Sequence, residues 1–440
     1  MASKNSSRTI QQLDNACVHD WYRFVLAYPD HLVADLIERF GITSQHTVLD
    51  PFVGTGTTLV ECKKHGIPSI GIDANPVTAF ASRVKTHWDI DLVALDARAS
   101  AFLDALENRI GPWNPPPADG SQLALDSLLP PHTPQRPAPA AEVEMLTRLI
   151  PKGALSPRPL QKVLAARSIL NSMPDDAITD LLRLALAAVA VRDMSNLGFG
   201  PEIYVKRKKR SDADLYGAMA RKIAAMRRDL VAVRQIAEPG ASTVYCADAR
   251  ALNTLPQPPR ADFVITSPPY PNEKDYTRIT RLELTLLSFI HDRAGLRHVK
   301  DHMLRSHSRN IYVNDSDAQF VTDIPQITAL AGEIETRRIA RGATSGFEKL
   351  YHRVVTEYFG GMVRVLAHLE TLIPPGGKLA FVVGDQMSYF QVPIRTAELL
   401  SLVACTKLTY REIGIEVWRT RAATATRQDI EEHILVLERT

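Results

Sequence analysis

The sequence predicts an α/β fold: a doubly wound, mostly parallel sheet that is interrupted by a helical insertion and by a second, smaller insertion. An apolar strand at 47–49 runs into a glycine-rich turn, a helix and a second strand at 69–72. That order of elements opens a doubly wound fold. Strand-like apolar segments return much later, at 242–246, 262–266 and 378–384. One core is therefore assembled from distant parts of the chain.

The composition of this 440-residue chain excludes several classes of protein. Its 45% hydrophobic and 23% charged residues are ordinary for a folded protein of roughly two or three domains. The longest apolar run that we find, Leu184 to Val191, is far shorter than the ~20 residues of a membrane helix, and the first residues lack the apolar stretch of a secretory signal. We therefore expect a cytoplasmic protein. Its four cysteines are scattered, which excludes a disulfide framework and a zinc ribbon.

The remaining elements follow in chain order. Residues 13–47 have apolar side chains at helical spacing, and Gly41 is placed to end that helix. Nine prolines between 111 and 140 predict an irregular segment. Helices are predicted over 141–195 and 211–237, on either side of a basic run. These helices would form the first insertion.

The C-terminal third of the chain adds a polar stretch and the end of the core. Residues 291–345 are mostly polar and read as the second insertion, in which target recognition is expected. A helix at 350–372 and strands near 406–418 and 432–438 then complete the sheet. The predicted divisions are a first core segment 1–90, the insertion 91–240, a core segment with the catalytic motif 241–290, the second insertion 291–345 and the last core segment 346–440.

A glycine-rich turn at 50–58, DPFVGTGTT, follows the first strand and brings backbone N–H groups close to a ligand. It is not the dinucleotide fingerprint, because Leu59 replaces the third glycine, and no Gly-Lys-Ser/Thr follows as in a P-loop. Asp73 closes the second strand, where it could accept hydrogen bonds from both ribose hydroxyls of an adenine nucleoside or cap the next helix. Asp248 closes a later strand and could bind the adenine amino group.

The most specific motif is the tetrad Ser267-Pro268-Pro269-Tyr270, which directly follows an apolar strand. Two prolines prevent the strand from continuing and make a rigid turn at its carboxyl end, the edge at which open α/β sheets bind ligands. An ordinary strand-ending turn could also contain prolines. The presence of the 50–58 turn and of Asp73 in the same chain favours a ligand site.

Together, DPFVGTGT and TSPPY resemble the motifs of the S-adenosylmethionine-dependent DNA amino-methyltransferases, which methylate cytosine N4 or adenine N6. The resemblance covers most of the α/β core and implies the class I methyltransferase fold, S-adenosylmethionine as the cofactor, double-stranded DNA as a partner and a cognate restriction endonuclease as another. The cofactor residues that it implies are Asp50, Pro51, Phe52, Gly54, Gly56, Thr57, Asp73 and Asp248. The catalytic residues that it implies are Ser267, Pro268, Pro269 and Tyr270.

The tetrad has the chemistry that such a reaction needs. An exocyclic amine is a poor nucleophile because its lone pair is delocalised into the ring. Hydrogen-bond acceptors at the amino hydrogens, the Ser267 hydroxyl and the Pro268 carbonyl, would draw the nitrogen towards tetrahedral geometry, while Tyr270 stacks on the extruded base. Methylation at cytosine C5 is excluded, because that family uses a cysteine preceded by proline and no cysteine here follows proline.

Contacts to DNA are expected from a concentrated basic patch, although the net charge of the chain is only +3. The patch residues are Lys206, Arg207, Lys208, Lys209 and Arg210; a solvated charge cluster is the alternative. Tyr276 and Arg278 are expected to line the base pocket, with simple packing as the alternative for Tyr276. No metal ligands are assigned, because His298 and His302 lack the glutamate of an HExxH motif.

The function predicted from the sequence is methyl transfer to cytosine N4 in duplex DNA, in a restriction-modification setting. The preference for cytosine comes from Ser267, since the adenine-N6 enzymes more often carry a carboxylate or amide at that place. Three alternatives stay open: an adenine-N6 DNA methyltransferase, a guanine-N2 methyltransferase of transfer RNA, and a catalytically silent nucleic-acid-binding module.

Overall fold

The computed structural model describes residues 17–24, 28–113, 138–200, 203–255, 260–272, 274–422 and 429–440. Its strands are β1 (Val48–Asp50), β2 (Ser69–Asp73), β3 (Leu197–Phe199), β4 (Ile203–Val205), β5 (Ser242–Cys246), β6 (Phe263–Thr266), β7 (Lys378–Gly384), β8 (Tyr410–Ala422) and β9 (Asp429–Arg439). Its first helices are α1 (Asp30–Phe40), α2 (Thr57–Lys64), α3 (Pro76–Thr86), α4 (Leu92–Ile110), α5 (Ala140–Leu149), α6 (Pro157–Asn171) and α7 (Ala177–Val189). The later helices are α8 (Leu215–Val233), α9 (Tyr276–Ile279), α10 (Arg281–Leu286), α11 (Arg293–Asp301), α12 (Pro325–Ala340), α13 (Tyr351–Leu372) and α14 (Thr396–Lys407).

The predicted α/β fold is confirmed by a seven-stranded sheet in the order β5-β2-β1-β6-β7-β9-β8. β5, β2, β1, β6 and β7 pair in parallel, whereas β9 is antiparallel to both β7 and β8. From β1 the strand order runs outward in both directions, so the topological switch point lies between β1 and β6. Open α/β sheets bind ligands at the carboxyl ends of the strands beside that point.

Helices cover both faces of the sheet, which explains why its central strands are continuously apolar. Successive residues of β1 illustrate this arrangement: Leu49 packs in a core with Tyr358 of α13, while Val48 packs in another with Leu36 of α1. No helix in the described ranges is both long and apolar enough to cross a membrane.

The segment between β2 and β5 is mainly helical, as predicted. Helices α4 to α8 share a core with α3, in which Phe102, Val163 and Leu181 are fully buried. The short antiparallel hairpin of β3 and β4 was not predicted, and the basic run follows it directly. Most of the proline-rich stretch, residues 114–137, lies outside the described residues.

The prediction of a helix over 13–47 is wrong for much of its length. Within the described part, only α1 is α-helical, and a short 3-10 turn at His19–Trp21 precedes it. Gly41 ends α1 as predicted, with φ at 63° and its N–H bonded to the carbonyls of Glu38 and Ile37. The strand predicted near 406–418 is displaced towards the C-terminus, because α14 continues to Lys407 and β8 begins only at Tyr410. The last strand, β9, is longer than the predicted 432–438.

The polar stretch 291–345 packs on the core. Val321, Ile327 and Ile334 are buried in the same cluster as Phe359 of α13. At the closest approach, a Cβ added at Gly360 in α13 would overlap the carbonyl oxygen of Asp317. Glycine is therefore needed at this position for the two segments to touch.

This close approach predicts opposite effects for two glycine substitutions in neighbouring helices. Gly360→Ala should lower the free energy of unfolding by ~1–3 kcal/mol, because the added methyl forces the segments apart. Gly332→Ala in α12 meets nothing within 4 Å and should raise it by ~0.5–1 kcal/mol, because alanine favours helix. Urea unfolding measures both changes. A neutral Gly360→Ala would contradict the tight packing.

Candidate active site

Asp50, at the end of β1, is a fully buried carboxylate. Its Oδ1 accepts hydrogen bonds from the Thr266 hydroxyl at 2.6 Å and from the Phe52 N–H at 3.0 Å. Its Oδ2 accepts one from the Thr58 hydroxyl at 2.5 Å. Burial raises the pKa of Asp50 to about 6, although these hydrogen bonds oppose the rise. Because Thr266 closes β6, this carboxylate joins the ends of the two strands at the switch point.

The glycine-rich turn bends around Asp50 into α2. Gly54 and Gly56 have φ values of 52° and 88°, a region that suits glycine. A Cβ at Gly56 would also lie 2.7 Å from the Ser82 Oγ of α3. The turn therefore requires glycine for both its conformation and its packing.

Asp73, at the end of β2, faces the same turn. Its Oδ2 accepts a hydrogen bond from the Gly54 N–H at 3.0 Å, and its Oδ1 accepts one from the Asn75 N–H at 2.7 Å. The residue that caps α3 is Asn75, whose side chain accepts from the Val77 N–H. The alternative role of Asp73 as the helix cap is therefore wrong. Burial raises the pKa of Asp73 to about 6.

Asp248, which follows β5, is held by an ion pair. Arg250 Nη2 lies 2.8 Å from its Oδ2, and Nη1 of the same arginine lies 2.7 Å from Asp317 Oδ2. Arg250 Nη2 also donates to the carbonyl of Asp301. Arg250 was missed by the sequence analysis, because nothing in its neighbourhood signals that two distant segments supply its partners.

The tetrad begins at the end of β6, beside the glycine-rich turn. The Ser267 hydroxyl donates to the carbonyl of Val382 on β7 at 3.0 Å. With its proton used there, the lone pairs of this oxygen are the part of the hydroxyl that a ligand N–H can meet. Tyr270 lies against Gly384, where an added Cβ would come 3.1 Å from the ring atom Cε2. The tetrad thus presents an acceptor and an aromatic face.

One cavity of about 340 Å³ brings these groups together, a size suited to a small ligand. The sequence-predicted residues that line it are Pro51, Phe52, Gly54, Thr57, Asp73, Asp248, Ser267, Pro268, Pro269, Tyr270 and Tyr276. Tyr276 also packs on Phe24, with ring centroids 6.3 Å apart. Asp50, Gly56 and Arg278 lie outside the lining, and the first two support the turn from behind.

Residues 302–310 provide a wall of the cavity that was not predicted from the sequence. This segment docks next to the tetrad, because the Ser306 carbonyl accepts a hydrogen bond from the Asn272 N–H at 2.8 Å. His307 and Asn310 line the cavity, and His307 Nδ1 and Asn310 Oδ1 are buried without a hydrogen-bond partner among the described residues. Burial lowers the pKa of His307 to about 4, so it is neutral at pH 7. This wall therefore adds a neutral imidazole and an amide side chain to the lining of the cavity.

The basic run lies apart from the cavity lining. Residues 206–209 are exposed, as phosphate contacts require. Arg210 differs, because its guanidinium donates to the carbonyls of Arg192, Asp193 and Ser195. Arg210 still adds its positive charge to the basic run, but its guanidinium is used to hold the backbone at 192–195.

Three buried residues outside the cavity, His19, Asp30 and Glu61, have donor atoms close enough together to suit a metal ion. The chain uses Glu61 internally, since its Oε1 lies 2.7 Å from His19 Nε2 and 2.8 Å from Lys64 Nζ. We assign this cluster to packing between the N-terminal segment and α2.

The comparisons with known proteins support the class that the two motifs resemble, the N4/N6 DNA amino-methyltransferases. A family model described as "DNA methylase" matches residues 3–80. These residues include the glycine-rich turn and Asp73.

Curated relatives extend the similarity to the rest of the chain. Type II methyltransferase M.BsoBI of Geobacillus stearothermophilus is 25% identical over 94% of this chain and 82% of its own length. Type II methyltransferase M.AvaI of Anabaena variabilis is 24% identical over 90% of this chain and 79% of its own length. Type II methyltransferase M.MjaII of Methanocaldococcus jannaschii is 53% identical, but over only 14% of this chain and 13% of its own length.

The hydrogen bond from Thr266 to Asp50 predicts that Thr266→Val lowers the free energy of unfolding by ~1–3 kcal/mol, because a buried carboxylate oxygen loses a donor. Thr285→Val is the control: Thr285 is equally buried, but its hydroxyl donates to the Arg281 carbonyl within its own helix, α10, and not to a carboxylate. Urea unfolding compares the two. Equal losses would show that Thr266 contributes only ordinary burial.

Proposed function

We propose that this protein transfers the methyl group of S-adenosylmethionine to the exocyclic N4 of a cytosine in duplex DNA. The observation that carries the proposal is the Ser267 hydroxyl, which donates to Val382 and so offers its lone pairs as an acceptor in the cavity that Asp73 also lines. A cofactor-binding carboxylate and an amine-binding acceptor in one cavity fit methyl transfer to an amino group.

The cavity has groups that fit the proposed cofactor. Asp73 would accept hydrogen bonds from the ribose hydroxyls, and Asp248 would accept one from the adenine amino group. The backbone of the glycine-rich turn, at Gly54, would pass close to the bound molecule. When bound, the cofactor supplies an electrophilic methyl group on a sulfonium. His307 and Asn310 add polar side chains to the lining of this space.

The tetrad would prepare the base for reaction. Tyr270 provides a ring on which an extruded base can stack. The Ser267 hydroxyl and the Pro268 carbonyl would each accept an amino hydrogen, which draws the nitrogen towards tetrahedral geometry and frees its lone pair for a direct in-line displacement. His307 and Asn310, on the neighbouring wall, would complete the polar environment and help to exclude water.

The exposed basic residues 206–209 would contact phosphates on one side of the duplex. The type II classification of the relatives supports a place in restriction-modification, with a cognate endonuclease as the partner activity. Cytosine N4 is preferred to adenine N6 because position 267 is a neutral serine. Adenine N6 is the second candidate, since both bases present an amine beside a ring nitrogen.

The direct test is expression in a host that lacks DNA methyltransferases, with mass spectrometry of DNA nucleosides and single-molecule sequencing to map the modified site. N4-methylcytosine at one short sequence is the expected product. N6-methyladenine would overturn the choice of base. Modification of RNA alone, or of nothing, would overturn the proposed function.

Removal of the Ser267 hydroxyl should affect turnover and not cofactor binding. Ser267→Ala should lower turnover ~10²–10³-fold, because one transition-state hydrogen bond is lost, while cofactor affinity measured by calorimetry stays the same. Ser172→Ala is the control, since Ser172 also donates to a backbone carbonyl, that of Ile169, and neither residue lines the cavity. A weakened cofactor affinity in Ser267→Ala would place this serine on the cofactor instead.

Cofactor affinity should depend on the charge of Asp73. The Asp73 carboxylate must be ionised to accept both hydroxyls well, and its pKa in the free protein is raised to about 6 by burial. Affinity should therefore be complete above that pH and fall as the pH drops through it. Asp73→Asn should weaken binding by ~1.5–3 kcal/mol at pH 8 and flatten this dependence. Calorimetry between pH 5 and 8 measures this dependence. If cofactor affinity changed with pH equally in the wild type and in Asp73→Asn, the proposed role of Asp73 would be contradicted.

A further inference from the structure

A charged pair borders the cavity on the side of the tetrad. Arg419 of β8 and Glu432 of β9 lie opposite each other across the C-terminal hairpin, and both line the cavity. The Arg419 Nε donates to Glu432 Oε2 at 2.6 Å. Glu432 is only 4% exposed, whereas the Arg419 side chain is 29% exposed. The carboxylate is thus a buried part of the wall, and the arginine side chain is the more exposed partner.

Gly384 connects this pair with the tetrad. It is paired in register with Glu432. A Cβ added at Gly384 would lie 3.1 Å from Tyr270 Cε2 and 3.2 Å from Glu432 Cγ. Tyr270 and Glu432 therefore pack on the same glycine. The strand order also places β7, β9 and β8 on the opposite side of β6 from β2 and β5, which carry Asp73 and Asp248. The pair belongs to the base side of the cavity.

The orientation of Arg419 suits an anion. The ladder of β8 and β9 shifts register between Val417 and Arg419, a bulge of the kind that re-aims a side chain. The Arg419 guanidinium lies over the Trp418 ring, 4.4 Å from its centroid. Since Nε donates to Glu432, the two terminal nitrogens are the donors that a ligand in the cavity would use, and their planar fork matches two phosphate oxygens.

We propose that Arg419 binds the backbone phosphate next to the extruded nucleotide and that Glu432 is its positioning residue. The inference rests on the proposed function, because a duplex with an extruded base is what brings a phosphate close to Tyr270. It adds a contact that holds the target nucleotide and that is separate from the basic run at 206–209.

A second pair on the same hairpin provides a matched control. Arg411 Nη2 lies 2.6 Å from Glu438 Oε1, also across β8 and β9. The Arg411 side chain is 63% exposed, and neither residue lines the cavity. Arg411→Gln therefore removes a similar charge and cross-strand ion pair without touching the proposed phosphate site.

The experiment measures binding of a fluorescent 20-base-pair duplex that carries the mapped methylation site. A set of duplexes each replaces one phosphate near the target nucleotide with a neutral methylphosphonate. Arg419→Gln should raise the Kd of the natural duplex about tenfold, the loss of one charged hydrogen-bonded contact, and should lower the salt slope by ~0.9. Arg419→Lys should retain part of the affinity, and Arg411→Gln should match the wild type.

The decisive comparison is how much each neutral phosphate weakens DNA binding by the wild type and by Arg419→Gln. At one position next to the target, neutralisation should weaken the wild type but leave Arg419→Gln unchanged, because the contact is already absent. The proposal would be overturned if the losses of affinity caused by Arg419→Gln and by phosphate neutralisation added at every phosphate position. It would also be overturned if Arg411→Gln weakened DNA binding as much as Arg419→Gln. A changed cofactor affinity in Arg419→Gln would assign the guanidinium to the cofactor carboxylate and also overturn it. If no methylation site is mapped, the proposed function fails before this comparison is made.

Discussion

The site depends on one buried carboxylate. Asp50 is removed from water at the switch point of the sheet, and a charge in that position is costly unless several donors surround it. The donors come from both sides: the turn and α2 supply Phe52 and Thr58, and β6 supplies Thr266. The same hydrogen bonds that make the burial tolerable therefore join the glycine-rich turn to the strand that carries the tetrad.

Two further contacts close the site around this centre. Arg250 joins Asp248 to the segment at 301–317 by two ion pairs, so the wall opposite the sheet is held by charge and not by apolar packing alone. Gly384 lets Tyr270 and Glu432 approach from the other edge. The result is a preorganised cavity whose polar groups are fixed before a ligand arrives, which is the condition under which hydrogen bonds act best on a reacting amine.

The elements that could be predicted from the sequence are those whose pattern lies within a short stretch of consecutive residues. The strand-turn-strand segment around 48–73 and the tetrad at 267–270 are each read from a few neighbouring residues. The partners of Asp50 could not be predicted, because Thr266 lies 216 positions away and a motif does not say whether its carboxylate faces ligand or protein. The wall at 302–310 has no periodic pattern, and Arg419 lies in a strand whose bulge is visible only in the structure.

The central claim is that cofactor and target base meet in one cavity between β1 and β6. A crystal structure of the protein with S-adenosylhomocysteine and a duplex containing the mapped site tests it most directly. We predict the ribose hydroxyls on Asp73 and an extruded cytosine on Tyr270, with its amino nitrogen within hydrogen-bond reach of Ser267 Oγ. A cofactor bound outside this cavity, or a target base still stacked in the duplex, would contradict the account.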